Sequence, residues 1–135
     1  MPSSEIKISG IGGIPTRKIL AQIGTYMVRA IQLRTSTGRD YQENTFNPYS
    51  KSYAAYRKEK GVSVGKVNLE SPENHPHMMA NLKVQKLDDT SVDVGFVGDF
   101  AERAAENEER GRIFLAVSEK DEKEIDDIID KSIEL

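Results

Sequence analysis

The sequence predicts a single α+β domain, in which a long N-terminal helix and an acidic C-terminal helix pack on a small, mainly antiparallel sheet beside a long ordered loop. Three observations lead to this prediction. The chain has 135 residues, which is the usual size of one domain. Apolar residues recur at helical spacing near both ends, and an alternating segment typical of a half-buried strand lies between them.

The two end helices are indicated by periodicity and by capping residues. From about Thr16 to Arg34 the apolar residues repeat at steps of three and four, which predicts the first helix. Ser118 with Asp121 three residues later is close to a capping box and predicts the start of the last helix. The apolar stripe of this last helix, which we expect to face the core, consists of Ile125, Ile128, Ile129 and Ile133.

Shorter elements occupy the middle of the chain. They are a basic helix over residues 50–60, a short strand around residues 64–69, one or two helical turns over residues 77–82, a strand over residues 91–97, a helix over residues 99–109 and a strand over residues 113–117. Ser50 is the expected N-cap of the basic helix. Asp88 begins a turn between residues 83–87 and the strand that follows, which predicts a hairpin. The stretch from Arg39 to Tyr49 has no periodicity and is expected to form the ordered loop.

The first fifteen residues are rich in Ser, Gly and Ile, and we expect residues 1–15 to form a flexible N-terminal arm while residues 16–135 form the domain. Ile6, Ile8 and Ile11 alternate as in a strand. The arm is therefore expected either to add to a neighbouring subunit as a strand or to fray as a chain terminus.

The net charge of −3 conceals a strong asymmetry along the chain. Residues 1–60 contain ten Lys and Arg against four Asp and Glu, whereas residues 61–135 contain nine against eighteen. The balances are +6 and −9. Such asymmetry bears on partners and assembly more than on the fold.

Residues suited to catalysis or metal binding are scarce. The chain has no Cys, which excludes disulfides and thiolate chemistry. Its two histidines, His75 and His77, have no third His and no Cys to complete a tetrahedral metal site. No apolar run is long enough to span a membrane. We therefore expect a soluble protein that is not an enzyme and has no cofactor, no metal and no membrane partner.

Four short blocks of sequence are more specific than the composition. They are Thr37-Gly38-Arg39-Asp40, Phe46-Asn47-Pro48-Tyr49-Ser50, Met79-Ala80-Asn81-Leu82 and Arg112-Ile113-Phe114-Leu115. In order and approximate spacing these blocks resemble the phage virion morphogenesis family, the tail-completion or neck proteins of tailed bacteriophages, over roughly residues 17–134. The chain departs from the family at Glu43, where a Gly is common, and at Ala116, where a Gly usually follows Phe-Leu.

This resemblance implies a structural virion protein that is assembled in the host cytoplasm and has no enzymatic activity. It would form a homo-oligomeric ring at the head–tail junction, with a channel for DNA, and by analogy with tail symmetry we expect a hexamer. Its implied partners are adjacent connector, terminator or tail-tube proteins and the phage DNA in passage. A tail terminator or head-closure ring is the near alternative. A module that binds nucleic acid nonspecifically through its basic half is the alternative from another class.

The charge asymmetry suggests which residues meet in such a ring. A heterologous contact between the basic half of one subunit and the acidic half of the next would close by rotation. The candidates for the subunit interface are Arg57, Lys58, Lys60, Phe46 and Tyr49. An acidic lumen would avoid tight binding to the phosphates of DNA, and the candidates for the lumen wall are Asp126, Asp127 and Asp130.

Overall fold

The long N-terminal helix packs on a three-stranded antiparallel sheet in the computed structural model, which describes residues 5–9, 17–61 and 78–133. In chain order the elements are β1 (Glu5–Ser9), α1 (Arg17–Ser36), α2 (Lys51–Glu59), a 3₁₀ turn (Met79–Asn81), β2 (Lys83–Leu87), β3 (Ser91–Gly95), α3 (Asp99–Glu109) and α4 (Glu119–Ile133). The prediction of an α+β fold with a small antiparallel sheet is confirmed.

The sheet has the strand order β1-β3-β2, so that β3 is central and antiparallel to both neighbours. Ile6 of β1 and Val84 of β2 both lie opposite Val94. The ladder between β2 and β3 is interrupted between Val84 and Lys86. Because side chains alternate along a strand, Val92 and Val94 share one face, and both are fully buried.

Helix α1 packs closely on this apolar face. At Gly24 a Cβ atom would lie 2.9 Å from a methyl group of Val84 and 2.9 Å from one of Val92, so the absence of a side chain permits the close approach. The core that results contains Ile19, Leu20, Ile23, Met27, Ile31, Phe46, Met78, Met79, Leu82, Val92, Val94, Phe96, Ala104, Phe114 and Leu115.

One predicted strand is wrong. Residues 113–117 form no strand, because their carbonyl groups bond to partners outside the sheet. The Tyr41 N–H donates to the Ile113 carbonyl at 3.0 Å, and the Arg34 guanidinium donates to the carbonyls of Phe114 and Ala116. The third strand of the sheet is instead β1.

The predicted arm also needs correction over part of its length. Glu5–Ser9 pairs with β3 of the same chain, so these residues belong to the sheet of the domain. The other residues of the arm, the strand expected at residues 64–69 and both histidines lie outside the described residues.

Helix α4 packs on α1 with its apolar stripe only partly covered. Ile125, Ile128 and Ile129 are half-buried against the core. Within the described ranges, no helix combines the length and the apolar character that crossing a membrane requires.

Candidate functional site

Two of the sequence blocks that carry the family resemblance lie in direct contact. The Arg112 guanidinium lies over the Tyr49 ring, 5.4 Å from its centroid. Arg112 Nε also donates to the Asn47 carbonyl at 3.5 Å, across 65 residues of sequence. The block around Asn-Pro-Tyr-Ser and the block around Arg-x-Phe-Leu therefore form one structural unit, which we call the loop platform: residues 37–50, α2 and residues 111–118.

The loop of this platform is shaped by its own side chains. One Asp40 carboxylate oxygen accepts the N–H groups of Gln42 and Asn44, at 2.9 and 3.0 Å. Glu43, inside this turn, has φ 67° and is the one non-glycine residue with positive φ among the described residues. Phe46 then returns to the core and is buried. The ordered loop is therefore built on a tight, partly strained turn.

Helix α2 begins at a side-chain cap, and its side chains contact the Tyr49 ring of the preceding loop. Ser50 Oγ accepts the Tyr53 N–H at 3.2 Å, which confirms the predicted N-cap. The rings of Tyr49 and Tyr53 meet edge to face with centroids 5.1 Å apart, and the Arg57 guanidinium lies 4.7 Å from the centroid of Tyr49. Arg57 and Arg112 thus both contact Tyr49 and anchor the loop to α2 and to residues 111–118.

Beside the platform, a buried charged network joins α1 to α4. Arg34 Nη1 donates to Asp121 Oδ2 at 2.7 Å, between residues 87 apart in sequence. Tyr26 donates its hydroxyl to Asp121 Oδ1 at 2.9 Å. Ser118 and Asp121 cap α4 reciprocally, with both hydrogen bonds at 3.0 Å, as the sequence predicted. A single carboxylate therefore caps α4 and binds two side chains of α1.

The pKa of Asp121 in this network is lowered, whereas the pKa of Tyr26 is raised. Burial alone would raise the pKa of Asp121, but hydrogen bonds from the Ser118 N–H, Arg34 and Tyr26 stabilise the carboxylate and leave its pKa below the usual value. Burial and the adjoining Asp121 carboxylate raise the pKa of Tyr26. Asp121 is therefore ionised at neutral pH, and its contribution to stability is lost only as the pH falls through its lowered pKa.

The structure distributes the predicted interface residues between core and surface. Lys58 and Lys60 are exposed, Tyr49 is half-buried, and Phe46 is a core residue. Arg57 is only 2% exposed and stacks on Tyr49, so the prediction that it presents an interface charge needs correction. The physical reason is that a planar, weakly hydrated guanidinium group stacks favourably on aromatic rings.

The predicted lumen residues all lie on the surface of α4. Asp126, Asp127 and Asp130 are exposed, on the same helix as the half-buried isoleucines. The structure thus leaves their carboxylates accessible, and it describes a single chain, so which surface of an assembly they face stays a prediction.

An open groove between α1 and α4 was not anticipated from the sequence. It has a volume of about 930 Å³, and its lining includes Tyr26, Arg29, Leu33, Arg39, Lys120 and Glu124. Arg34 lies at its base. The position of Arg34, three residues after Ile31 and in step with the buried face of α1, is the sequence signal that could have identified it as buried.

Among the described residues, no cluster of three or more His, Asp or Glu side chains is arranged to hold a metal ion. Comparison with protein-family models, with curated proteins and with solved structures finds no match to this chain.

Proposed function

We propose that this chain is a structural subunit of a phage virion, which forms a ring at the head–tail junction and completes the tail for joining. The observation that carries the proposal is the contact between Arg112 and the segment Asn47 to Tyr49. These residues belong to two of the blocks that resemble the tail-completion family, and blocks that characterise a family are expected to meet in its fold.

A second observation concerns the position at which the chain departs from the family pattern. Glu43 occupies a site where a Gly is common in the family, and its φ of 67° is a backbone conformation that glycine adopts without strain. The turn thus retains the glycine-like conformation although the glycine is replaced. This agreement supports the resemblance independently of the residue identities.

The distribution of charge fits assembly by contact between unlike surfaces. Helix α1 contains no acidic residue and exposes Arg17, Lys18 and Arg29, and Lys51, Lys58 and Lys60 are exposed on and next to α2. Exposed carboxylates lie on α3, at Glu102 and Glu106, while Asp126, Asp127 and Asp130 on α4 remain the candidates for the lumen wall. Opposite fields on different surfaces steer subunits into one relative orientation, and a heterologous contact closes into a ring when the rotation permits.

Native mass spectrometry and electron microscopy of the purified full chain test this proposal. We expect a closed ring with a central channel, and six copies in it. Reversing the exposed charges in a Lys58→Glu, Lys60→Glu double variant is expected to weaken assembly, and to weaken it less in high salt.

A chain that stays monomeric at all accessible concentrations would contradict the proposal. If the monomer instead bound DNA with an affinity that falls steeply with salt, the nucleic-acid-binding function would be favoured. A closed ring found at the end of isolated tails, without involvement in tail completion, would favour the tail terminator.

A further inference from the structure

Helix α4 lies outside the fully buried part of the core. Among residues 119–132 only Asp121 is buried, and its side chain is charged. The apolar stripe of Ile125, Ile128 and Ile129 is only half-buried. Within the described part of the chain, the cluster of buried apolar side chains contains no residue of α4. The contacts among these buried side chains therefore do not include α4.

The contact that fixes α4 is concentrated in its first turn. Asp121 accepts hydrogen bonds from Tyr26 and Arg34 of α1, at 2.9 and 2.7 Å. The rest of the helix contributes the half-buried isoleucines, and on one side the open groove of about 930 Å³ lies between the two helices. Asp121 therefore acts as the anchor of α4 on α1.

The chain that leads into α4 is fixed independently of the helix. Phe114 and Leu115 are buried in the core. The Arg34 guanidinium donates hydrogen bonds to the carbonyl groups of Phe114 and Ala116. None of these contacts needs a residue of α4. If the helix leaves α1, the chain therefore turns about residues 117–118.

From these contacts we infer that α4 is a latch, which releases from α1 as one unit while α1, the sheet and residues 113–116 stay folded. Segments with few buried apolar contacts open at a lower free energy than the core of the same protein. The Asp121 anchor sets how often the latch opens, because parting Asp121 from Arg34 leaves a buried guanidinium without its counter-charge.

The latch controls access to two surfaces. Only the released state fully exposes the isoleucine stripe of α4 and the face of α1 around Tyr26, so a partner that binds either surface binds the open form. The inference does not depend on the proposed ring.

Hydrogen exchange of the full chain, followed by mass spectrometry in increasing urea below the unfolding transition, tests the latch. A released helix of 15 residues is only marginally stable in water, so its amides exchange once it leaves α1. We expect the amides of α4 to exchange faster than those of β3. We also expect their exchange to depend less on urea, because that dependence scales with the surface exposed in the opening.

Two substitutions separate release of α4 from unfolding of the whole domain. Tyr26→Phe removes one hydrogen bond of the anchor and leaves α4 itself unchanged, so exchange of α4 should become about tenfold faster. Val94→Ala weakens the buried face of the sheet and should speed exchange of β3 by about tenfold or more. It should not speed exchange of α4, because the open state of the latch keeps the sheet folded.

Thr25→Ala is the matched control for Tyr26→Phe. Thr25 is exposed, and its hydroxyl donates to the Ala21 carbonyl within α1. This variant should leave the exchange of α4 unchanged.

Three results would overturn the inference. If α4 and β3 exchange at the same rate and with the same dependence on urea, α4 opens only with the whole domain. If Val94→Ala speeds the exchange of both equally, the same conclusion follows. If Tyr26→Phe leaves the exchange of α4 unchanged, the helix opens without regard to the anchor. Each of these results leaves the proposed ring untouched, because the ring is judged by the stoichiometry of the assembly.

Discussion

Helix α1 contacts the rest of the molecule through two very different interfaces. Towards the sheet it presents apolar side chains and, at Gly24, bare backbone against Val84 and Val92. Towards α4 it presents Tyr26 and Arg34, which bind Asp121 through hydrogen bonds and a buried ion pair. The first interface depends on close packing, which tolerates small adjustments, whereas the second depends on pairing, because a buried charge without its partner is costly.

From this comparison we expect substitutions at the interface between α1 and α4 to lower the stability of the protein more than substitutions at the interface between α1 and the sheet. Arg34→Leu leaves the buried Asp121 carboxylate without its cation, and we expect the free energy of unfolding in urea to fall by about 3–5 kcal/mol. Arg17→Leu, at an exposed arginine of the same helix, is the control and should change stability by less than about 0.5 kcal/mol. Equal stability of the two variants would mean that the ion pair does not hold α4 on α1.

At Gly24, where α1 approaches the sheet closely, we expect a substitution to lower the stability by an intermediate amount. Gly24→Ala adds a Cβ atom 2.9 Å from a methyl group of Val84 and of Val92, and such overpacking costs about 1–3 kcal/mol. Alanine favours the helix by about 1 kcal/mol relative to glycine, so we expect a net loss of up to about 2 kcal/mol. The measurement is again urea unfolding.

A second substitution shows whether the clash is the cause. Val84→Ala in the Gly24→Ala background removes one of the two crowded methyl groups, so the additional cost of Gly24→Ala should shrink there. Gln22→Ala, at an exposed position of α1, should be neutral or slightly stabilising. A gain in stability for Gly24→Ala alone would show that α1 and the sheet are less closely packed.

The smallest effect is expected outside both interfaces, in the loop platform. Glu43→Gly relieves a left-handed conformation that costs a non-glycine residue about 1–2 kcal/mol, although glycine also gains entropy in the unfolded chain. We expect the melting temperature to rise by a few degrees, corresponding to about 0.5–1 kcal/mol. Gln42→Gly, in the same turn but without positive φ, should lower the melting temperature. A lower melting temperature for Glu43→Gly would contradict the interpretation that the turn is strained.

Several elements could be predicted from the sequence because their signals are local. The apolar periodicity of α1 and α4 and the alternation of β3 identified these elements within a few residues. The caps at Ser50 and Ser118 were predicted correctly because each side chain bonds a backbone N–H only three residues away.

The errors have a common physical origin. Residues 113–117 have the composition of a strand, but their carbonyl groups accept hydrogen bonds from Arg34 and Tyr41, which are distant in sequence. Arg57 belongs to a basic segment, yet it is withdrawn onto Tyr49. Neither outcome is encoded in the neighbouring residues, because both depend on which partner the fold brings near.

The sequence by itself determined the two long helices, the strand β3, the caps at Ser50 and Ser118 and the opposite charge of the two halves, since these follow from residue spacing and composition. The tertiary structure decided which of those charged side chains are buried and which are exposed to solvent. It pairs Arg34 with Asp121 across 87 residues and leaves Leu33 and Val97 exposed on different surfaces. Burial and pairing are properties of contacts between distant segments, and only the folded chain creates those contacts.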